Sequence, residues 1–312
     1  MGELPPRVAV VGPTASGKSA VATDVAVQLG DVELVSIDSM QVYRGMDIGT
    51  AKPTAEERAR VRHHLLDLVD PDESFTVAEF QRAYRGALAE IAAGGRRAIL
   101  VGGTGLYHRA VIDDLDLPGE WPEIRAALLA EVDDVGPEAL HRRLAEVDPA
   151  AATKMEPTNA RRIVRALEVC EGSGRRFSSF GPGIDAYPPS EVAQIGLRWD
   201  RAVLADRIEE RVRRMVTVGL VDEVEGIAAG PGFSPTAAQA LGYKEILAHL
   251  RGECSLDEAV GQVIVRTRQF AVRQLRWFGR DPRVEWIDVE HDPVAEVAPA
   301  VRSALERADR AR

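Results

Sequence analysis

The stretch VAVVGPTASGKSAVA, Val8 to Ala22, decides the fold. Its centre, Gly12 to Ser19, matches G-x-x-x-x-G-K-[ST], a motif that binds phosphate when a strand precedes it and a helix follows it. In such a loop, backbone N–H groups and the positive end of the helix face the phosphate, Lys18 adds positive charge, and the Ser19 hydroxyl binds Mg²⁺. We therefore predict a phosphate loop formed by Gly12, Pro13, Thr14, Ala15, Ser16, Gly17, Lys18 and Ser19.

Strands and helices alternate in the first third of the chain, which is typical of an α/β fold with a mostly parallel sheet. We predict strands at residues 7–11, 32–37, 98–101 and 192–197. Helices are expected at residues 18–29 and after the capping box Thr76-Val-Ala-Glu79. From about Leu117 helical patterns dominate, so we predict a helical insertion, 118–190, in a core domain made of 1–117 and 191–312 with C-terminal helices.

Three segments follow predicted strands at the edge of the sheet where ligands bind in such folds. They are the phosphate loop, Asp38, and the run Gly102-Gly103-Thr104-Gly105. Asp38 is either a general base or a helix N-cap or turn former. Thr104 either offers its hydroxyl to a leaving group or belongs to a plain strand-to-helix turn. The strand before Thr104 lacks the Mg²⁺-binding carboxylate of conventional NTPases.

The composition excludes several classes of protein. The 312 residues are 45% hydrophobic and 28% charged, as in ordinary globular proteins. We expect no membrane association, because no stretch approaches the roughly 20 apolar residues of a membrane span. The N-terminus lacks the apolar run of a secretory signal, and Cys170 and Cys254 lack metal-ligand spacing, so we expect a cytoplasmic protein. His63 and His64 are adjacent, form a poor metal pair, and are expected to be structural. A monomer is the default expectation.

The charge of the chain is unevenly distributed. The net charge of −10 argues against indiscriminate binding of polyanions. Basic residues nevertheless cluster at Arg161, Arg162, Arg165, Arg175 and Arg176, and again at Arg266, Arg268, Arg273, Arg276 and Arg280. Either cluster is a solvent-exposed helix face or a local surface that binds nucleic acid.

The chain resembles the tRNA dimethylallyltransferases (tRNA isopentenyltransferases) of the bacterial type. The matching stretches occur in the order of that family and span most of the chain. They are GPTASGKS (12–19), DSMQVYRGMDIGTAKP (38–53), HHLLD (63–67), VGGTGLY (101–107), RALEV (165–169), LGYKE (241–245) and TRQFAVRQLRWF (267–278). A phosphate loop alone is unspecific, but Gly-Thr-Ala-Lys-Pro after Asp-Ser-x-Gln is highly specific.

The resemblance implies a P-loop NTPase-like core with Mg²⁺ as cofactor. It also implies transfer of a dimethylallyl group from dimethylallyl diphosphate to the adenosine N6 at position 37, next to the anticodon, in tRNAs that read codons beginning with U. Diphosphate is released, and the helical insertion helps to clasp the anticodon stem-loop. The missing carboxylate after the third strand fits a loop that holds a diphosphate leaving group rather than hydrolysing ATP.

The resemblance also implies roles for single residues. Asp38 is the general base, Thr104 lies beside the bridging or leaving oxygen of the diphosphate, and Lys18 stabilises the departing charge. Ser19 is the expected Mg²⁺ ligand. The residues implied to contact tRNA are Asp38, Ser39, Met40, Gln41, Arg161, Arg162, Arg165, Gln239, Lys244, Arg273 and Arg276. Val272 stands where many members of the family carry Lys.

Two other functions share some of these features. A small-molecule kinase has the same loop and a strand-end Asp, but it uses ATP and needs neither the insertion nor the arginine clusters. A nucleotide-switched RNA-binding module needs Mg²⁺-holding and water-orienting residues that the sequence does not supply. Both alternatives predict no transfer of a prenyl group to adenosine.

Overall fold

The computed structural model describes Pro5 and residues 7–181, 183–184 and 186–310. The chain forms two compact units. The larger unit combines Met1–Asp113 with Tyr187–Arg312, and the smaller unit is Asp114–Ala186. The corresponding sequence-based expectation for the insertion is 118–190.

The described part of the larger unit contains a six-stranded parallel sheet. Its strands are β1 (Arg7–Val11), β2 (Val32–Ser36), β3 (His63–His64), β4 (Arg97–Gly102), β5 (Ala193–Trp199) and β6 (Val284–Val289). Their order across the sheet is β3-β2-β4-β1-β5-β6. The predicted α/β fold with a mostly parallel sheet is therefore confirmed.

Helices make up most of the remaining regular structure. In chain order they are α1 (Lys18–Leu29), α2 (Ala55–Arg60), α3 (Val77–Ala93), α4 (Gly105–Ile112), α5 (Pro122–Val135), α6 (Pro137–Val147), α7 (Pro149–Ala152), α8 (Ala160–Ser173), α9 (Arg201–Thr217), α10 (Leu220–Ala229), α11 (Tyr243–Leu250), α12 (Leu256–Phe278) and α13 (Pro293–Arg310). Short 3₁₀ helices lie at Phe177–Ser179 and Ala237–Gln239. Among the described residues, no helix combines the length and the apolar character needed to cross a membrane.

The alternation of side chains along β1 divides the core of the larger unit in two. Val8 and Val10 belong to one buried cluster, together with apolar residues of α1 and α13. Ala9 and Val11 belong to the other cluster, together with apolar residues of α3. Successive side chains of a strand point to opposite faces of the sheet, so helices packed on each face bury a continuous apolar strand.

The register of the central strands brings their carboxyl ends together. Val11 of β1 pairs with Gly102 of β4, and Val101 of β4 pairs with Ser36 of β2. The predicted capping box at the start of α3 is confirmed, since Thr76 and Glu79 exchange hydrogen bonds with each other's backbone. The loops after β1, β2 and β4 therefore leave the sheet side by side, where the sequence predicts a ligand.

The smaller unit consists of α5 to α8 around its own apolar core. The core includes Leu128, Leu140, Leu144, Ile163 and Leu167. Glu168 is fully buried, and its carboxylate accepts hydrogen bonds from Arg125 and from the backbone of Trp121. A buried carboxylate needs such partners to offset its desolvation.

Two strands were not predicted from the sequence. β3 has two residues, too few to show a periodic pattern. β6 lies at the edge of the sheet, where Glu285 and Asp288 are exposed and interrupt the apolar residues. Its place in the sheet depends on pairing with β5, which sequence periodicity does not record.

Candidate active site

A cavity of about 480 Å³ opens at the carboxyl ends of the central strands. Asp38, after β2, and Thr104, after β4, both line it. The phosphate loop contributes Thr14, Ala15, Lys18 and Ser19, whereas Gly12, Pro13, Ser16 and Gly17 are not part of the lining. The structure thus brings Lys18, Asp38 and Thr104, which lie far apart in sequence, to one cavity.

Side chains outside the phosphate loop bind two of its carbonyl groups. Arg207 Nε donates to the carbonyl oxygen of Ala15 at 3.0 Å, and Trp199 Nε1 donates to that of Ser16 at 2.9 Å. The Arg207 guanidinium stacks on the Trp199 ring, 4.4 Å from its centroid. Since these carbonyl oxygens have their own donors, they do not compete with an anion for the N–H groups of the loop.

Lys18 brings a titratable ammonium to the cavity. Its Nζ donates to the carbonyl oxygen of Pro13 at 2.6 Å. Burial and the nearby Arg211 guanidinium lower the pKa of Lys18 to about 7, although the Asp38 carboxyl opposes this shift. An anion in the cavity would stabilise the charged ammonium.

Arg211 of α9 is a cavity residue that the sequence analysis did not single out. Burial lowers its pKa, which the Asp38 carboxyl counteracts. A signal was present in the sequence, because the helical spacing places Arg211 on the same face as the apolar residues Ile208, Val212 and Met215. These three residues also line the cavity. A charged residue on an otherwise apolar face indicates a partner for that charge.

The Asp38 carboxyl is both part of a turn and part of the cavity. Its Oδ1 accepts a hydrogen bond from the backbone N–H of Met40 at 2.8 Å, as in an Asx turn. Burial raises the pKa of Asp38, whereas the Met40 N–H and the Lys18 ammonium oppose the shift. The two interpretations left open by the sequence are therefore compatible, since a turn fixes a carboxylate of raised basicity beside the phosphate loop.

The Thr104 side chain does not cap the helix that follows it. Thr104 occupies the N-cap position of α4, but its hydroxyl makes no capping bond. Its Oγ1 instead accepts from the backbone N–H of Ser39 at 3.2 Å and lies 3.4 Å from the Ser39 hydroxyl. Thr104 thus joins the loops after β4 and β2, and where the Ser39 hydroxyl is the donor of their contact, the Thr104 proton can be donated to a ligand in the cavity.

Gln274 of α12 connects the phosphate loop to the loop after β4. Its Oε1 accepts from the backbone N–H of Thr14 at 2.8 Å, and its Nε2 donates to the carbonyl oxygen of Gly103 at 2.8 Å. A Cβ atom on Gly103 would lie 2.3 Å from that Nε2, so a larger residue there would displace the Gln274 amide. This buried amide fixes the spacing of two loops that form the cavity.

The motif at residues 38–53 folds into a loop that is held by buried polar groups. The Gln41 amide donates to the carbonyl oxygens of Thr50 and Ala51, at 3.1 and 3.2 Å, and accepts from the Ser36 hydroxyl at 2.7 Å. Gln41, implied to contact tRNA, therefore also has an internal role. Lys52 is likewise engaged, since its buried ammonium pairs with Asp47 and Asp67.

The remaining residues implied to bind tRNA differ in their surroundings. Gln239 and Arg273 are exposed and line the cavity, and exposed Lys244 donates to the Gln239 side chain at 2.9 Å. In the smaller unit, Arg161 and Arg162 are exposed. Arg165 instead contacts Glu168 at 2.9 Å and donates to the carbonyl oxygen of Pro118. Ser39 and Met40 are half-buried in the cavity wall beside Asp38.

The C-terminal arginine cluster divides into two groups. Arg266 pairs with buried Glu245 at 2.6 Å, and Arg268 pairs with Glu209 at 2.8 Å. Arg273, Arg276 and Arg280 are exposed, and within the described residues none of the three forms an ion pair. Only the second group has charge that remains to be balanced by a ligand.

The protein groups near the cavity can bind Mg²⁺ only as part of a larger ligand set. Within the residues that the structure describes, no three His, Cys, Asp or Glu side chains cluster as a metal site. The exposed Ser19 offers one hydroxyl, which fits Mg²⁺ if phosphate oxygens and water complete its coordination. His64 pairs with buried Glu33 at 2.6 Å, whereas His63 lines the cavity and contacts the Val61 carbonyl.

The chain is similar to proteins of one family. The family model described as IPP transferase matches residues 41–281. A tRNA dimethylallyltransferase of Streptomyces coelicolor is 51% identical and aligns over 92% of both chains. The crystal structure of a full-length tRNA isopentenylpyrophosphate transferase from Bacillus halodurans has a TM-score of 0.70 and 41% identity over 98% of both chains. A eukaryotic dimethylallyltransferase acting on tRNA has a TM-score of 0.72 and 25% identity, covering 90% of this chain and 73% of that one.

Proposed function

The chain belongs to the IPP transferase family, and we propose that it transfers a dimethylallyl group from dimethylallyl diphosphate to an adenosine of tRNA. The acceptor atom is N6 of adenosine 37, in tRNAs that read codons beginning with U. The observation that carries the proposal is the meeting of Lys18, Asp38 and Thr104 at one cavity. These residues supply a phosphate site, a base and a hydroxyl donor, which the reaction needs within reach of each other.

On the donor side, the phosphate loop holds the diphosphate leaving group. As the bond between C1 of the allyl group and the bridging oxygen breaks, the electron pair stays on that oxygen. Lys18 and Arg211 lie at the cavity to balance the growing charge, and the Thr104 hydroxyl donates a hydrogen bond to the departing oxygen. When bound at Ser19, Mg²⁺ supplies further neutralisation of the diphosphate.

On the acceptor side, Asp38 receives the proton of the adenosine amine. The N6 lone pair forms the new bond to C1, and the proton lost from N6 moves to the Asp38 carboxylate. Burial raises the pKa of this carboxyl, which makes it a better base than an exposed aspartate. Apolar residues of α9 that line the cavity, such as Ile208 and Val212, suit a branched hydrocarbon group.

The tRNA must present a single base to an enclosed site. An adenosine stacked in a loop is reached by flipping it out, at a cost of a few kcal/mol that stacking and phosphate contacts offset. Exposed Arg273 and Arg276 are suited to phosphate contacts beside the cavity. We propose that the smaller unit, through exposed Arg161 and Arg162, clasps the anticodon stem-loop.

A single chain carries every side chain that this mechanism uses. We therefore propose that the protein acts as a monomer, on tRNA of the cytoplasm. The direct test is mass spectrometry of the nucleosides of tRNA that has been incubated with the protein and dimethylallyl diphosphate. The expected result is an adenosine that has gained one dimethylallyl group. A phosphorylated product formed from ATP, with no prenylated adenosine, would instead support the kinase alternative and refute the proposal.

A further inference from the structure

Glu223 of α10 binds three consecutive backbone N–H groups of the loop at residues 38–53. Its Oε2 accepts from the N–H of Asp47 at 2.9 Å and of Ile48 at 2.7 Å, and its Oε1 accepts from that of Gly49 at 3.2 Å. The same Oε1 accepts from the hydroxyl of Tyr243 at 2.5 Å. Successive N–H groups of this kind form a nest for an anion, here a carboxylate of the chain itself.

Tyr243 of α11 reinforces this contact by packing against the loop. A Cβ atom on Gly49 would lie 2.3 Å from the Tyr243 ring, so the ring approaches the backbone as only glycine allows. Burial and the Glu223 carboxylate both raise the pKa of Tyr243, which keeps the phenol protonated as a donor. The middle of the loop is thereby held by residues of α10 and α11, two helices that lie more than 170 residues later in the sequence.

The fixed segment continues directly into the part of the loop that borders the cavity. Gly49, Thr50 and Ala51 line the cavity, and the carbonyl oxygens of Thr50 and Ala51 hold the Gln41 amide. Gln41 follows Asp38 by three residues, in the same turn. A displacement at residues 47–49 would thus reach both the cavity wall and the turn that orients the Asp38 carboxyl.

We propose that Glu223 and Tyr243 are positioning residues for the acceptor nucleoside. They act through the loop at 47–51 and touch neither the phosphate loop nor the donor. This inference rests on the proposed function, since it concerns how adenosine meets Asp38. It assigns a shared purpose to two motifs of the sequence, IGTAKP and LGYKE, which meet where Tyr243 packs on Gly49.

The test compares Glu223→Gln, Tyr243→Phe and the double variant with wild type. Tyr243→Phe keeps the ring on Gly49 and removes only the hydroxyl. Glu225→Gln is the matched control, because Glu225 is an exposed glutamate on the same helix. The readouts are the single-turnover rate of prenyl transfer at saturating tRNA, the Kd for inorganic pyrophosphate, and hydrogen exchange of the backbone amides of residues 47–49.

For Glu223→Gln we expect the transfer rate to fall about tenfold or more, since small misplacements of reacting groups cost up to roughly a hundredfold. The rate of hydrogen exchange at the backbone amides of residues 47–49 should rise, and the Kd for pyrophosphate should stay within about twofold of the wild-type value. The double variant should resemble Glu223→Gln alone, because both changes act on one carboxylate. Tyr243→Phe should shift the rate and the exchange in the same directions by less.

Three results would overturn the inference. The first is a normal transfer rate in Glu223→Gln despite faster hydrogen exchange at residues 47–49. The second is a loss of pyrophosphate affinity as large as the loss of transfer rate, which indicates general damage to the cavity. Unchanged exchange would likewise show that the carboxylate does not hold the loop. Failure of the proposed function is distinct, because the wild-type protein would then prenylate no adenosine at all.

Discussion

The Lys18 ammonium donates a hydrogen bond to the carbonyl oxygen of Pro13, 2.6 Å away and five residues earlier in the phosphate loop. The lysine is thus held at the loop before any anion arrives. Burial and the charge of Arg211 bring the pKa of Lys18 down to about 7, so its charge is only partly present at neutral pH. A diphosphate would favour the charged form and would therefore be bound together with a proton.

This coupling predicts how the affinity for inorganic pyrophosphate depends on pH. The bound state has the higher Lys18 pKa and therefore holds more protons than the free state above pH 7. The Lys18 contribution should accordingly weaken binding as the pH rises from about 7, by at most about tenfold per unit. Titration calorimetry between pH 6.5 and 8.5 in buffers of different ionisation enthalpy measures both the affinity and the proton uptake.

Lys18→Arg is the control for that measurement, because arginine stays charged throughout this range. Its pH profile reports the titration of pyrophosphate itself, which loses protons and binds more tightly as the pH rises. As the pH rises, the pyrophosphate affinity of the wild-type protein should therefore fall relative to that of the Lys18→Arg variant. Parallel profiles with equal proton uptake would show that Lys18 does not titrate on binding.

A second prediction concerns Asp38 as the base. Asp38→Asn keeps an oxygen for the Met40 N–H but cannot take a proton, so the transfer rate should fall by at least about a hundredfold. In the wild-type protein, kcat/KM should decrease as the pH falls through the Asp38 pKa, which burial places above the usual carboxyl range. Stopped assays across pH with a tRNA substrate measure both effects.

Asp206→Asn provides a matched control, since Asp206 is an exposed aspartate of α9. The Asp38 variant should still bind tRNA and pyrophosphate, because the change removes neither the phosphate loop nor the exposed arginines. Turnover close to that of wild type would contradict the assignment of Asp38 as base. The assignment would also be contradicted if kcat/KM fell on the acidic side with a pKa in the normal range of an exposed aspartate.

The phosphate loop, Asp38 and Thr104 could be found from the sequence because each is tied to a local pattern. A parallel sheet aligns the carboxyl ends of its strands, so residues just after three predicted strands meet without further information. The residues that α10 and α12 contribute to the site and its surroundings could not be found in this way. Gln274 reaches the site, and Glu223 reaches the loop that borders it, only through the packing of α12 and α10. Their hydrogen bonds span more than 170 residues of sequence.

The internal pairing of charges was also hidden in the sequence. Arg266 and Arg273 belong to one basic cluster at the level of composition, but Arg266 faces a buried glutamate of α11. Which arginines keep free charge depends on acidic residues from other helices. Similarly, the internal role of Gln41 in the loop at residues 38–53 depends on carbonyl groups nine and ten residues further along the chain.

A third prediction concerns the link between the phosphate loop and the loop after β4. Gln274→Glu places a carboxylate oxygen against the carbonyl oxygen of Gly103, so the link to that loop should break. The free energy of unfolding should fall by about 1–3 kcal/mol, as expected for buried groups that lose a partner. Denaturant titration measures this loss, and KM for dimethylallyl diphosphate should rise at the same time. Gln269→Glu, an exposed site on the same helix, should change neither quantity, and equal effects in the two variants would refute the assignment.

The last prediction concerns the free charge of α12. Arg273 and Arg276 are exposed and unpaired within the described residues, so a tRNA phosphate is their natural partner. Replacing both by Ala should reduce the slope of log affinity for the anticodon stem-loop against log salt by about one for each arginine. Binding measured by fluorescence anisotropy at several salt concentrations gives the slope. Arg307→Ala, at an exposed position of α13, should leave it unchanged. Weaker binding of the double variant with an unaltered slope would mean that these side chains act without contacting phosphates, and that the charge left unpaired on α12 serves another purpose.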